Sequence, residues 1–220
     1  MPVRDTIQYL LIKNLNISKK EAKEALEAGN VTVNKISVFN NCYFEKTDEV
    51  AFNGKLLFEP LQVYKVLYYK PSGVECTLNT SIPGNLANQF IGWPKMFPVG
   101  RLDKASEGLL ILTNSGKFYR QMNHHGSEIE KEYIVRVNKK ISGDFEEKMS
   151  AGIHIMGKKT LPCNVNVLHE DTFRIILKQG LNRQIRRMCY KLDYEVLSLK
   201  RIRFGDYHIG NMQPNDCIEI

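Results

Sequence analysis

Residues 100–114 read GRLDKASEGLLILTN, and the uninterrupted apolar run near their end, Leu109–Leu112, has to be core. The preceding FPV and Gly100 predict a strand ending in a tight turn, so the stretch between turn and run is a loop at the edge of that core. That loop carries one carboxylate, Asp103, between Arg101 and Lys104. Chemically active groups concentrate on loops braced by rigid elements. A surface ion pair of Asp103 with Arg101 or Lys104 fits the same residues, and this stretch alone leaves both readings open.

At 220 residues, 43% of them hydrophobic, the chain is long enough for one ordinary domain plus a small one. No apolar run approaches the roughly eighteen residues of a membrane helix, and MPVRDTIQYLLIKN lacks a signal-peptide cleavage pattern, so a soluble, cytoplasmic protein is expected, with a monomer as the default. The five cysteines, Cys42, Cys76, Cys163, Cys189 and Cys217, are scattered without a C-x-x-C pair and are read as reduced thiols, mostly core. The adjacent His124 and His125 lack a carboxylate or cysteine at ligand spacing, so no metal site is expected. Charge is distributed unevenly. Arg174–Arg203 holds nine Lys or Arg residues against Asp193 and Glu195, an excess of seven that equals the whole chain's net charge of +7. Such a concentration attracts polyanions and is the footprint of nucleic-acid proteins, although charge alone also fits a solvated basic face.

The first segment predicts two short helices and a small strand pair. Ile7, Leu10, Leu11 and Leu15 recur at helical spacing. In the second helix Ser18 and Glu21 form an S-x-x-E capping box, Ala22, Ala25 and Leu26 make the apolar face, and Gly29 supplies the stop. NVTVNK then alternates as a strand. Lys13, Lys19, Lys20 and Lys23 decorate the helix start, where ammonium groups and helix-end amides suit phosphates. In its order and spacing, SKKEAKEALEAGNVTVN followed by DEVAFNG resembles an S4 RNA-binding domain over about residues 1–58. Lys35 stands where that family usually has glycine, and Lys19 where it has arginine.

A break follows at FEPLQ, and the expected organisation is an S4-like domain over 1–59, a linker over 60–64 and a second domain over 65–220. VYKVLYYKPSGV opens the second domain as a strand stopped by Pro71. The runs EYIVRV, TFRIILK and YEVLSLKRIRF read as strands, and 116–124, 142–150 and 182–192 as helices. The fold class is α+β, a small α/β RNA-binding module followed by one domain on a mostly antiparallel sheet.

Two further stretches bear on chemistry. EKEYIVRV puts Tyr133 at the start of a strand, with Val135 and Val137 on its face, and the ring is either a platform for a base or core. QGLNRQIRRMCYKL crowds Arg183, Arg186 and Arg187 at a helix start, with Ile185, Met188 and Leu192 facing inward. Arg183 and Arg187, four apart, suit phosphates, whereas Arg186 adjoins the apolar side and needs a carboxylate partner.

G-R-L-D, then K-E-Y, then N-R-Q-I-R-R-M in this order resemble the pseudouridine synthases of the bacterial ribosomal-RNA group, the RsuA/RluB/RluE/RluF family, which also begin with an S4 domain. QGLNRQIRRMC and KEYIVRV look most like the RluF branch, which modifies large-subunit ribosomal RNA. The resemblance implies isomerisation of uridine to pseudouridine in large-subunit (23S) ribosomal RNA, without a cofactor. It implies that Asp103 is the essential aspartate, Tyr133 the ring that stacks on the target uracil, Arg186 the partner of Asp103, Ile185 the residue closing the pocket, and Arg101 the group that helps displace the flipped nucleotide. Two alternatives stand beside it: a synthase acting on small-subunit ribosomal RNA or transfer RNA, and a non-catalytic S4-domain protein of RNA binding or ribosome assembly.

Overall fold

The structure is a computed structural model that describes residues 6–123 and 129–220; His124 and His125 lie outside the described residues. By internal contacts the chain divides into two compact units, Met1–Val63 with Asn114–Gly116, and Tyr64–Thr113 with Lys117–Ile220.

The first unit holds α1 (Ile7–Leu15), α2 (Lys19–Glu27), β1 (Val31–Val33), β2 (Ile36–Ser37), β3 (Val50–Phe52) and β4 (Lys55–Phe58). Both arms of the capping box form, with the Ser18 amide donating to Glu21 Oε2 at 2.7 Å and the Glu21 amide to Ser18 Oγ at 3.2 Å. Ile7, Leu11, Ala22 and Leu26 close on Val31 and Val50 to make the core. Where the sequence reading had a strand pair, the strands form a four-stranded antiparallel sheet in the order β2-β1-β3-β4. The additional strands are too short to show alternation, and each turns an apolar residue, Ile36 or Leu56, to solvent, while Leu57 and Phe58 of β4 pack against the core. Both hairpins turn through left-handed pairs, Asn34–Lys35 and Asn53–Gly54, which match the twist of the flanking strands.

The second unit is built on β5 (Lys65–Lys70), β6 (Phe97–Val99), β7 (Glu107–Thr113), β8 (Lys131–Val137), β9 (His154–Ile155), β10 (Lys158–Lys159), β11 (Asn164–His169), β12 (Thr172–Leu177), β13 (Val196–Phe204), β14 (Tyr207–His208) and β15 (Cys217–Glu219), with α3 (Gly116–Asn123), α4 (Phe145–Ser150) and α5 (Gln184–Lys191). Its main sheet runs β11-β12-β8-β13-β7-β5-β15, antiparallel except where β13 meets β7. The apolar run is buried on both faces: Leu109 and Ile111 pack with Phe118 and Phe204, and Leu110 and Leu112 with Leu86, Phe90 and Met96. At the other end of the sheet Val135, Val137, Phe173 and Ile175 bury one face under α4 and α5. β8 begins two residues before Tyr133, so Tyr133 is inside the strand rather than first in it. Cys76 and Cys189 are buried and Cys163 half-buried, but Cys42 and Cys217 are exposed, fewer core thiols than the sequence suggested. Among the described residues no helix is long and apolar enough to cross a membrane.

The parallel junction is short, pairing Lys200 with Glu107 and Arg201 with Gly108. Gly108 has φ +104, and a methyl group there would lie 2.7 Å from Arg201 N and closer still to its carbonyl oxygen. Only glycine lets the two backbones approach this far. Gly108→Ala is expected to cost about 3 kcal/mol in urea unfolding through overpacking and backbone strain. Gly143→Ala, with nothing near its added methyl, is the control and should change stability by less than about 0.5 kcal/mol.

Candidate active site

The loop between β6 and β7 is tied down carbonyl by carbonyl. Arg201, 1% exposed, donates from Nη2 to Gly100 O at 2.8 Å and from Nε to Leu109 O at 2.7 Å. Gly100 turns at φ +62 against the Phe204 ring, which a methyl group there would meet at 2.6 Å. Asp103 O accepts the Ser106 amide at 3.0 Å, and Lys104 O accepts the Gly73 amide at 2.8 Å. Lys70, 0% exposed at the end of β5, donates from Nζ to Pro71 O and Val74 O at 2.8 Å each, and to Lys104 O at 3.4 Å. Arg186 donates to Ala105 O and Val196 O at 2.9 Å each. Leu102 is buried, which leaves the half-buried Asp103 carboxylate as the loop's chemical group.

The cation beside that carboxylate is Arg183, whose Nη1 lies 3.9 Å from Asp103 Oδ2, with the two side chains 49% and 29% exposed. The sequence reading expected Arg186 in this place; Asp103 does act on the Arg186 guanidinium electrostatically, while the ion pair is formed by Arg183. Arg183 is the N-cap of α5 and sits in a left-handed conformation at φ +51. Arg186, one turn further on, is committed to the carbonyls of Ala105 and Val196 and braces the loop from beneath. Burial, and then Arg183, hold the Arg186 guanidinium below its ordinary pKa, while Asp103 acts in the opposite sense. The buried side-chain polar atoms without a hydrogen-bond partner among the described residues are Arg186 Nε and Ser106 Oγ, one on the brace and one on the loop.

Tyr133 is half-buried on β8, opposite Arg201 of β13 and Ile175 of β12, and packs against the core under α5. Because Arg201 in turn pairs with Gly108, Tyr133 lies on the same rung as the start of β7, about 10 Å away across two strand spacings. Arg101 is exposed on the loop. Ile185 is 4% exposed within the core cluster of Val135, Met188 and Leu199. Arg187 is exposed and turns back to Asn182, donating to its carbonyl at 3.0 Å and its Oδ1 at 3.2 Å. Lys19, Lys20 and Lys23 are exposed on α2 of the first unit, where Lys20 pairs with Glu24 at 3.8 Å and Lys23 with Glu27 at 3.2 Å. Among the described residues no three His, Cys, Asp or Glu side chains gather as metal ligands would.

Sequence reasoning missed Lys70 and Arg201 as parts of the site. The available signals were a lone lysine closing the apolar run of YYKP and an arginine in strand phase with Leu199, since a cation on a buried phase needs acceptors inside the fold.

A tethered carboxylate beside arginines thus stands on the loop that leads into β7, an interior strand of the sheet. The chain belongs to the RNA pseudouridylate synthase family, whose pattern it matches over residues 64–191, and it is an RNA pseudouridine synthase. More particularly, it is 39% identical over 198 residues to the dual-specificity RNA pseudouridine synthase RluF of Escherichia coli, an alignment covering 89% of this chain and 68% of that one. It is 29% identical over 212 residues to the ribosomal large subunit pseudouridine synthase B of Bacillus subtilis, covering 92% and 86% respectively. A crystal structure of a pseudouridylate synthase shares the fold, with a TM-score of 0.69 and 22% identity over 98% of this chain and 95% of that one.

Burial pushes the Lys70 ammonium down to about 8 from 10.5, while Cys76, Glu75, Glu107 and Asp103 act the other way. Between those two values the unfolded chain binds more protons than the folded one. The cost of burying the charge below pH 8, about 3 kcal/mol, is therefore relieved as pH rises through the window 8 to 10.5. Urea unfolding of wild type and Lys70→Met at pH 7 and pH 10 should show the difference moving in favour of wild type at the higher pH. Movement the other way would mean that the three carbonyls hold the ammonium more strongly than burial opposes it.

Proposed function

We propose that this synthase converts a specific uridine of large-subunit (23S) ribosomal RNA to pseudouridine, with Asp103 as the catalytic carboxylate. The observation that carries the reading is the Asp103 side chain 3.9 Å from Arg183, on a loop whose Gly100, Asp103, Lys104 and Ala105 carbonyls are held by hydrogen bonds. Likeness to RluF and to a large-subunit synthase supports the choice of RNA. The dual-specificity name of the Escherichia coli relative favours a second RNA substrate as well, and transfer RNA is the alternative to test. The first unit, two helices on a four-stranded sheet with lysines on α2, supports an S4-type RNA-binding role. A cytoplasmic monomer fits this work.

The reaction breaks the bond between uracil N1 and ribose C1′, turns the base and joins C5 to C1′; the proton leaving C5 is balanced by one gained at N1. It is redox-neutral. A stacked uridine must first be flipped out at a cost of a few kcal/mol, offset by stacking on Tyr133 and by phosphate contacts. Arg101, exposed on the loop, fills the vacated space. Asp103 then acts beside the ribose as nucleophile or base. Arg183 balances its charge and Arg186 keeps its loop in position.

Deproteinised ribosomal RNA from a strain lacking the protein, incubated with it and mapped by carbodiimide treatment and primer extension, should show a new stop at a large-subunit uridine. Asp103→Asn should bind the RNA and lose turnover by about a thousandfold; turnover at the wild-type rate removes Asp103 from the chemistry. A stop in transfer RNA alone would move the substrate and leave the chemistry. Tyr133→Ala should lower kcat/KM by about 10- to 100-fold and Tyr133→Phe by less than about threefold, as expected for stacking. Equal losses would assign the role to the hydroxyl.

A further inference from the structure

Beyond Asp103 the site continues into a groove of about 670 Å³ along α5. One wall is the exposed face of the helix, where Arg183, Arg187, Tyr190 and Lys191 recur at spacings of four, three and one while Ile185, Met188 and Cys189 turn into the core. The facing wall is the hairpin of β9 and β10. Ile155 anchors that hairpin in the same core cluster as Ile185 and Met188, and Met156, 61% exposed, turns at φ +50 at its tip. The groove is lined by four cations, Arg183, Arg186, Arg187 and Lys191, against the single carboxylate of Glu195. Tyr190, 76% exposed, stands among them.

We propose that this groove is a subsite for the RNA strand on one side of the target uridine, with Tyr190 as a stacking platform for a neighbouring base and Arg187 as a phosphate contact. The inference rests on the reading of Asp103 as the reacting centre, because Arg183 belongs both to the groove and to the ion pair with Asp103. A strand whose uridine is presented to that carboxylate leaves along the groove. The helix face is about 12 Å long, room for about two nucleotides of a strand whose bases stack on aromatic rings and whose phosphates follow cations. An exposed tyrosine between arginines suits a base between phosphates, since every base has a π-face and every linkage a negative charge. The rigid anchoring of both walls means that the subsite exists before RNA arrives.

The test is equilibrium binding to the full chain carrying Asp103→Asn. The probes are RNA trimers with one uridine, extended by two adenosines on the 5′ side or on the 3′ side, compared with the single nucleotide. Extension on one side is expected to tighten binding about tenfold or more and to steepen the salt dependence by about 0.7 per phosphate. Added Tyr190→Ala should abolish most of that gain with the salt slope retained, and Tyr190→Phe should keep it. Added Arg187→Ala should reduce the slope by about 0.7. Both side chains are exposed, so neither change threatens the fold. A gain that neither Tyr190→Ala nor Arg187→Ala alters overturns the subsite, as does the absence of any gain on either side, which would leave the groove to an acidic protein partner. Turnover by Asp103→Asn on ribosomal RNA is the separate measurement that bears on the reacting centre. Loss of turnover there with no groove effect would sink the subsite alone.

Discussion

The buried guanidinium of Arg201 is the interaction on which the second unit depends. Burying a charge in a sheet is unfavourable unless its donors are satisfied. Arg201 meets that demand with Leu109 O on β7 and Gly100 O on the turn before it, and lies 5.0 Å from the centre of the Phe204 ring. It does so where β13 meets β7 in parallel over two residue pairs, a junction too short for a full ladder. The side chain completes what the backbone leaves unmade. Gly108 permits the close approach that this requires, and the loop carrying Asp103 thereby acquires a fixed starting point.

The same device recurs around the loop. Lys70, Arg186 and Arg201 all spend their hydrogen bonds on backbone carbonyls, those of Gly100, Lys104 and Ala105 among them. A cation paired with a carboxylate cancels its field at a distance, but one bound to neutral carbonyls keeps its charge. The loop is therefore held by groups that also make its surroundings positive, which suits a site that receives a polyanion. Arg183, half-exposed at 3.9 Å from Asp103, stands outside that set and meets solvent and carboxylate together. An exposed pair of this length contributes little to stability. Arg183 also lines the cationic groove along α5.

What could be read in the sequence follows the range of each signal. The Leu109–Leu112 strand, the Ser18–Glu21 capping box and the helix from Gln184 are local patterns, and the structure has all of them. The Asp103 loop was legible because turn residues and the apolar run bracket it. Strand β11 was missed because as an edge strand it buries little, and β2 and β4 because they are two and four residues long and show no alternation. That Arg183 forms the ion pair with Asp103 was not legible for a different reason. Helical spacing does not rank Arg183 and Arg186 by their distance from Asp103, because Arg183 is a left-handed N-cap ahead of the first helical residue. Arg201 finds its acceptors 92 and 101 residues away, at Leu109 and Gly100, and Lys70 adds to its neighbours Pro71 and Val74 a third acceptor 34 residues away at Lys104; no local pattern encodes such distances.

Among the described residues, two buried polar side-chain atoms lie unsatisfied at the loop. Arg186 Nε and Ser106 Oγ lack partners while the carbonyls around them are occupied, so the imperfection is confined to the place where loop and helix meet. Each such atom costs about 1–3 kcal/mol, a sum that a loosely held loop would escape by moving. Here escape is blocked from three sides, by Arg201 at Gly100, by Lys70 and the Gly73 amide at Lys104, and by the remaining nitrogens of Arg186 at Ala105 and Val196. The clamp is stronger than the strain it contains, and the carboxylate at its centre is oriented in the folded chain before any RNA binds.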